Sequence, residues 1–278
     1  MTRRSAVAIV ALTVMASGGT LRTAERRWTP DALMRVKRIA TVVPSPDATR
    51  VAFVVSDAVM EGEKSEWLSQ IHVAASDGSW STQLTRGDKS ATSPQWAPDG
   101  QSIAFLSARG SDKVNVFTIR ISGGEAEQIT NEKASITALR WAPDGKSLAF
   151  VMPEPKSDEE EKAAREKRDM RVIDENEKLA ALYVVPVARG TDGKRGVTRH
   201  ATGAVHVTAI DWAPDSSAIV YAHQKTPKVF DQNDISVVRL AGGPPRAVAS
   251  TPASELSPPF SPDGQAIGYV LGEEPPTR

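Results

Sequence analysis

The sequence predicts an all-β fold: a β-propeller of four-stranded blades, about five of them present and the ring incomplete, preceded by a signal peptide and a short helix. Three observations predict it. One five-residue phrase recurs along the chain, as WAPDG at 96–100 and 141–145, WAPDS at 212–216, FSPDG at 260–264 and PSPDA at 44–48. Its aspartates, Asp47, Asp99, Asp144, Asp215 and Asp263, are 52, 45, 71 and 48 residues apart, and the long gap holds a charged insertion. Apolar residues alternate before and after each phrase, as in TALRWAPDGKSLAFVM. Proline presets φ near the value a type I turn needs, aspartate can bond its own backbone, and glycine accepts the left-handed conformation that closes a bulged hairpin. A period of roughly 45–50 residues matches one four-stranded blade.

The elements follow in order. Arg3 and Arg4 precede an 11-residue apolar run at 6–16, and Ala16, Ser17, Gly18 and Gly19 are small enough for a cleavage site. This run is short for a bilayer, so residues 1–19 read as a secretory signal peptide. The mature protein is then expected to be periplasmic or secreted, with no stable membrane insertion after cleavage. Residues 20–41 are a lead-in with one short helix. Thr29 caps it, Pro30 suits its first position and Asp31 complements its positive end, with Leu33, Val36 and Ile39 or Ala40 as its apolar side.

Residues 42–278 are expected to form the partial propeller. Second strands are RVAFVVS, QSIAFLS, SLAFVM, SAIVYAH and QAIGYVL. Third strands lie at 70–75, 115–121, 182–187 and 235–240, followed by small turns at 76–79, 122–125 and 241–244 and outer strands at 82–85 and 127–130. Trp96, Trp141 and Trp212 hold equivalent places before their turns and are expected to report on packing within separate blades. The insertion at 154–178 is dense in charges of both signs, and its middle reads as a solvated helix on an excursion between two strands of one blade.

Composition removes several functions. The chain has 278 residues, 40% of them hydrophobic, and no net formal charge, so there is no electrostatic reason to expect nucleic acid as a partner. Without cysteine there is no disulfide frame, thiolate nucleophile or thiolate metal site. His72, His200, His206 and His223 have no metal-ligand spacing. No GxSxG occurs, and no strand–helix alternation suggests a hydrolase domain. The expected inventory is therefore no catalytic residue, no cofactor-binding residue, no metal ligand and no cofactor.

The opening WTPDALMRVKRIATVVPSPDATRVAFVVS, a helix of type TPxxLxxxxR followed by an SPD hairpin, resembles the start of prolyl oligopeptidase family serine peptidases. The likeness is to the acylaminoacyl-peptidase and dipeptidyl-peptidase branch. The run at 83–110 and the return DMRVIDENEKLAALYVVPV at 169–187 are similar too. In that family a propeller gates access to an α/β-hydrolase domain carrying a Ser–Asp–His triad. The resemblance implies a non-catalytic propeller portion of an exported serine peptidase, with the hydrolase domain of the same protein as its partner and short peptides as the parent enzyme's substrates. The chain is expected to lack the last blades and the catalytic domain, and to be inactive alone. The acids Glu159 and Glu160 match no substrate-amine motif of the family and receive no role. The hairpin phrase is also used by Tol-type periplasmic propellers, so a protein-binding module is the alternative.

Overall fold

A computed structural model describes residues 28–168, 177–200, 202–227 and 232–272. The expected signal peptide lies outside these residues, as do residues 169–176 of the insertion's return. The described residues divide into two units, one ending at Val36 and the other starting at Lys37. In the first, α1 spans Pro30–Met34, and the Thr29 hydroxyl accepts from the Ala32 amide at 3.1 Å, as an N-cap does. The helix is shorter than its apolar pattern suggested: Val36 lies past its end, and Ile39 and Ala40 belong to a strand.

The second unit is built of antiparallel sheets. Blade one contains β1 (Arg38–Pro44), β2 (Arg50–Glu61), β3 (Lys64–Ala75) and β4 (Ser81–Gln83). Blade two contains β5 (Ala91–Trp96), β6 (Ser102–Ser107), β7 (Asn115–Arg120) and β8 (Glu127–Gln128). Blade three contains β9 (Ala138–Trp141), β10 (Ser147–Pro153), β11 (Ala180–Pro186) and β12 (Thr198–Arg199), with α2 (Asp158–Arg165) between β10 and β11. Blade four contains β13 (His206–Trp212), β14 (Ala218–Gln224), β15 (Asp234–Arg239) and β16 (Arg246–Ala249). A fifth sheet holds β17 (Glu255–Leu256) and β18 (Val270–Leu271). The fifth hairpin is weaker than QAIGYVL suggested: Phe260 and Ile267 form an isolated bridge, and only the last two residues of that run are strand. Gly268 in its middle offers no side chain to pack.

The repeated phrase folds the same way five times. Gly100 and Gly145 have φ of 66° and 71°, and their amides donate to Ala97 and Ala142. Ala48, Ser216 and Gly264 take the same place with φ of 57°, 60° and 71°. Each aspartate accepts, through Oδ1, from the amide two residues on, at 2.9–3.1 Å. At Asp47 the Ser45 hydroxyl, donating at 2.6 Å, and the Thr49 amide together hold the carboxyl at about 2. Ser216 does what glycine does elsewhere and adds a contact, its hydroxyl accepting from the Asp144 amide of the preceding blade at 3.1 Å. A Cβ on Gly145 would meet Pro98 of the preceding blade at an ordinary 3.8 Å. The cost of a side chain there is therefore conformational. Gly145→Val should lose about 1–2 kcal/mol in urea denaturation, and Gly145→Ala less. A valine loss no larger than alanine's would show that the left-handed backbone is not the constraint.

Apolar residues of facing blades interleave in three clusters. Ile103 and Phe105 of blade two pack toward Ala52 and Val54 of blade one, while the alternate residues Ala104 and Leu106 pack toward blade three. Period-two alternation with both faces apolar is what a blade between two neighbours requires. Trp96, Trp141 and Trp212 do not report on single blades, as the sequence suggested. Each donates its indole N–H to a main-chain carbonyl of the blade before it: Val43 at 3.0 Å, Gln95 at 3.2 Å and Arg140 at 3.2 Å. The acceptor is in each case the residue just before the position the tryptophan occupies in its own blade. Blade one carries Pro44 there, and the fifth sheet carries Phe260. Phe260 has no indole, and its amide donates instead to the Asp211 carboxylate at 3.1 Å. Burial raises the pKa of Asp211 above the ordinary aspartate range.

The outer strands are fastened by buried polar latches. The Thr85 hydroxyl donates to Gln70 Oε1 at 2.8 Å, and the Thr130 hydroxyl to Asn115 Oδ1 at 2.9 Å. Each threonine also accepts a main-chain amide of the third strand, Ile71 or Val116.

In each blade, the first-to-second and third-to-fourth turns lie at one end of the strands. The second-to-third loops and the connections between blades lie at the other. The turn end is more regular, its one long connection being 187–197 between β11 and β12. The loop end carries most of the elaboration: the long β2–β3 ribbon, the 108–114 loop and α2. The insertion thus leaves blade three between its second and third strands.

Candidate functional site on the loop face

Elaboration on one face of a regular scaffold marks where function is grafted. A cavity of about 850 Å³ opens there, between α2 and the loops of blade two. Lys113, Glu132, Lys156, Glu161, Arg165 and Lys178 are among its walls. Helix α2 is set by a capping box: the Glu160 amide donates to the Ser157 hydroxyl, and the Ser157 amide to Glu160 Oε2 at 2.6 Å. Glu160 also pairs with Lys178 at 2.8 Å, which ties the helix to the chain returning into β11. Glu154 pairs with Arg199 at 2.8 Å, and Asp158 lies 4.0 Å from Lys133. The last two are exposed pairs, which hold geometry only weakly, while the Glu160 pair is half-buried. Glu160 is thus engaged within the insertion.

Inside the cavity the charges are mixed. Burial raises the Glu132 carboxyl above its ordinary pKa, while its amide is held by Asn115 Oδ1 at 2.8 Å. Among the described residues, Glu132, Glu161, Lys156 and Arg165 make no ion pair. The walls therefore offer both cationic and anionic groups to a polar guest. Ser111 and Ser135 also line it, but both are spent on the local backbone: the Ser111 hydroxyl donates to the Lys113 carbonyl, and the Ser135 hydroxyl accepts from the Val114 amide. Among the described residues, neither hydroxyl is hydrogen-bonded to a histidine or a carboxylate.

The histidines lie apart from this cavity. His72 stacks on Phe53, and His206 Nδ1 accepts from the Ala180 amide at 3.1 Å. His223 comes within 2.9 Å of the Ser236 hydroxyl, a contact that scattered sequence positions did not announce. The pair is cross-strand packing on β14 and β15. Ser236 is only 7% exposed, Tyr221 lies against the imidazole, and the flanking amides are spent in the sheet. Burial lowers the pKa of His223, His206 and His200 below the ordinary histidine value. Without a reachable nucleophile or free oxyanion donors, this pair lacks the geometry of acyl transfer. Among the described residues, no group of three His, Asp or Glu side chains could hold a metal ion. No helix among them is long and apolar enough to cross a membrane.

One polar residue escaped the sequence reading. Glu255 stands where the other inner blades bury Ala91, Ile136 and Val207, and it is fully buried itself. Its Oε1 accepts from the Thr251 amide and hydroxyl at 3.0 and 2.6 Å, and among the described residues Oε2 has no hydrogen-bond partner. At the matching place in blade one, Ile39 is 67% exposed.

Comparisons with known proteins agree with this architecture. Over 98 residues, 35% of this chain and 15% of the relative, it is 33% identical to the uncharacterized peptidase YuxL of Bacillus subtilis. Over 78 residues, 28% of this chain and 11% of the relative, it is 36% identical to dipeptidyl-peptidase 5 of Porphyromonas endodontalis. The chain thus matches a small part of these curated relatives. The solved TolB from Acinetobacter baumannii shares the fold at 19% identity and a TM-score of 0.55, over 83% of this chain and 48% of that one. The family model for the TolB beta propeller domain, PD40, matches residues 37–181, which is more than half of the chain and runs from β1 into β11. By that match, and by the blades that carry it, the chain belongs to the TolB beta propeller domain family.

Proposed function

We propose that this chain is the non-catalytic propeller portion of an exported serine peptidase that hydrolyses short peptides. Its role is to gate access to an α/β-hydrolase domain carried elsewhere in the same protein. The observation that carries this reading is the 33% identity, over 98 residues, to a protein named as a peptidase. The second relative, a dipeptidyl-peptidase, supports it. So does the division of labour in the fold, which offers a rigid stack of blades, an irregular loop face and no reactive constellation among the described residues. In this reading the loop face meets the hydrolase domain, and the cavity beside α2 lies on the path that short peptides take. Exclusion by size needs a closed rim and no special side chain, which suits a scaffold of this kind. The apolar run at 6–16 supports export to the periplasm or beyond.

The test uses the native protein. An antibody raised against the propeller should retrieve, from cells of the source, a polypeptide well above 29.8 kDa that a fluorophosphonate probe labels. The chain of 278 residues by itself should remain unlabelled and should not cleave aminoacyl or peptidyl substrates. Retrieval of an unlabelled species would instead favour a Tol-like periplasmic propeller acting through protein contacts, a reading that the match to the TolB domain supports. Labelling of the isolated chain at one serine would overturn the non-catalytic assignment.

A further inference from the structure

The seams between blades differ at one repeated position. On the outer strand, the residue paired across from the third strand's next-blade-facing side chain is Thr82 in blade one, opposite Val73. In blade two it is Glu127, opposite Thr118, and in blade three it is Thr198, opposite Val184. In blade four it is Arg246, opposite Val237. The Glu127 charge is answered across its seam, where its Oε1 accepts from Arg195 at 2.7 Å and Arg189 at 3.0 Å. Arg246 is the reverse charge at the same place. Arg239 joins it on the same face of the sheet, two residues along β15 from Val237. Among the described residues, neither guanidinium has an ion-pair partner.

Between blade four and the fifth sheet, at the turn end, lies a cavity of about 530 Å³, within the size range of small-molecule pockets. Its walls include Arg239, Arg246, Val237, Phe260, Asp215 and Asp263. Gly242 and Gly243, with φ of 99° and 105°, leave one side bare, and a Cβ on either would meet nothing within 4 Å. The two aspartates are fixed by their own turns. Asp215 Oδ1 accepts from the Ser217 amide and hydroxyl, and Asp263 Oδ1 from the Ser261 hydroxyl and the Gln265 amide. Those bonds favour the charged carboxylates, and both pKa values are lowered.

We propose that this seam is a binding site for a singly charged organic carboxylate with an apolar body. The two guanidiniums present fork-shaped donors that match a carboxylate, and Phe260, Val237, Ala213 and Pro214 supply an apolar wall for the rest. The fixed charges of Asp215 and Asp263 repel a multiply charged anion, so a phosphate is disfavoured against a carboxylate. The site rests on the seam alone and holds whichever protein the propeller serves.

Calorimetric titration of the full chain tests it, with N-acetylphenylalanine, its amide and inorganic phosphate as probes. The acid should bind saturably, the amide should not, and phosphate should bind more weakly than the acid. Arg246→Thr, which installs the residue that positions 82 and 198 already carry, should weaken the acid at least about tenfold with the melting curve preserved. Arg239→Gln should do the same and serves as a second variant. The proposal fails if the acid does not bind up to about 10 mM, if amide and acid bind alike, if phosphate binds best, or if both variants bind as the native chain does.

Discussion

Trp212→Ala should destabilise the chain by about 3–5 kcal/mol, the largest effect expected of any single change at a blade seam. The indole is 5% exposed and packs in the cluster shared by blades three and four. Its loss opens a cavity there and strips the Arg140 carbonyl of the donor at 3.2 Å. The two contributions separate with a second variant. Trp212→Phe keeps much of the ring and removes the N–H, so its loss should be nearer about 1 kcal/mol. Urea denaturation followed through intrinsic fluorescence reads both. Equal losses for alanine and phenylalanine would mean that the hydrogen bond, and not the packing, holds the seam.

Asn115→Ala should cost about 2–4 kcal/mol. Asn115 is 1% exposed, and its Oδ1 accepts from the Thr130 hydroxyl at 2.9 Å and from the Glu132 amide at 2.8 Å. Alanine leaves both donors without this acceptor, the Thr130 hydroxyl in the buried interior and the Glu132 amide at the cavity wall, and a buried donor left unpaired costs more than the bond itself contributed. Glu132 lines the cavity beside α2, so the same change should loosen that wall. Amide exchange at Glu132 should accelerate together with the loss of stability. A full loss of stability with unchanged exchange at Glu132 would show that the latch supports the blade but not the cavity.

The blades were legible because their signals are local. Proline, aspartate and glycine within five residues specify a turn, and alternating apolar residues on each side specify two strands, so β5–β6 and β9–β10 could be placed without the structure. The short outer strands β12 and β16 were missed, since two to four residues carry too little pattern and their pairing depends on a neighbour. The tryptophans were read as belonging to single blades because spacing along the chain does not say which blade an indole points into. Glu255 was missed for a related reason. A glutamate in an ASEL run reads as surface until the repeat alignment places it over Ala91, Ile136 and Val207. The cavity beside α2 joins residues around 111–135 to others around 153–178, and only the packing of blade two against blade three brings them together. Ile39 and Ala40, the two alternatives for the end of the helix's apolar side, show the opposite failure, in which a short window suits two periods and tertiary pairing decides.

The indole links have a consequence for how such a protein changes over generations. The donor is a side chain of the incoming blade, but the acceptor is a main-chain carbonyl, which every residue type supplies. A newly copied blade therefore brings its own fastener and asks nothing of the sequence before it. Duplication or deletion of a unit leaves no orphaned partner to be repaired by a second mutation. The phrase varies between units, from WAPDG to WAPDS, FSPDG and PSPDA, and the indole link is made wherever the phrase carries tryptophan. Where that residue is lost, at Phe260, a neighbouring carboxylate takes over the backbone contact, so the joint tolerates even the failure of its own device.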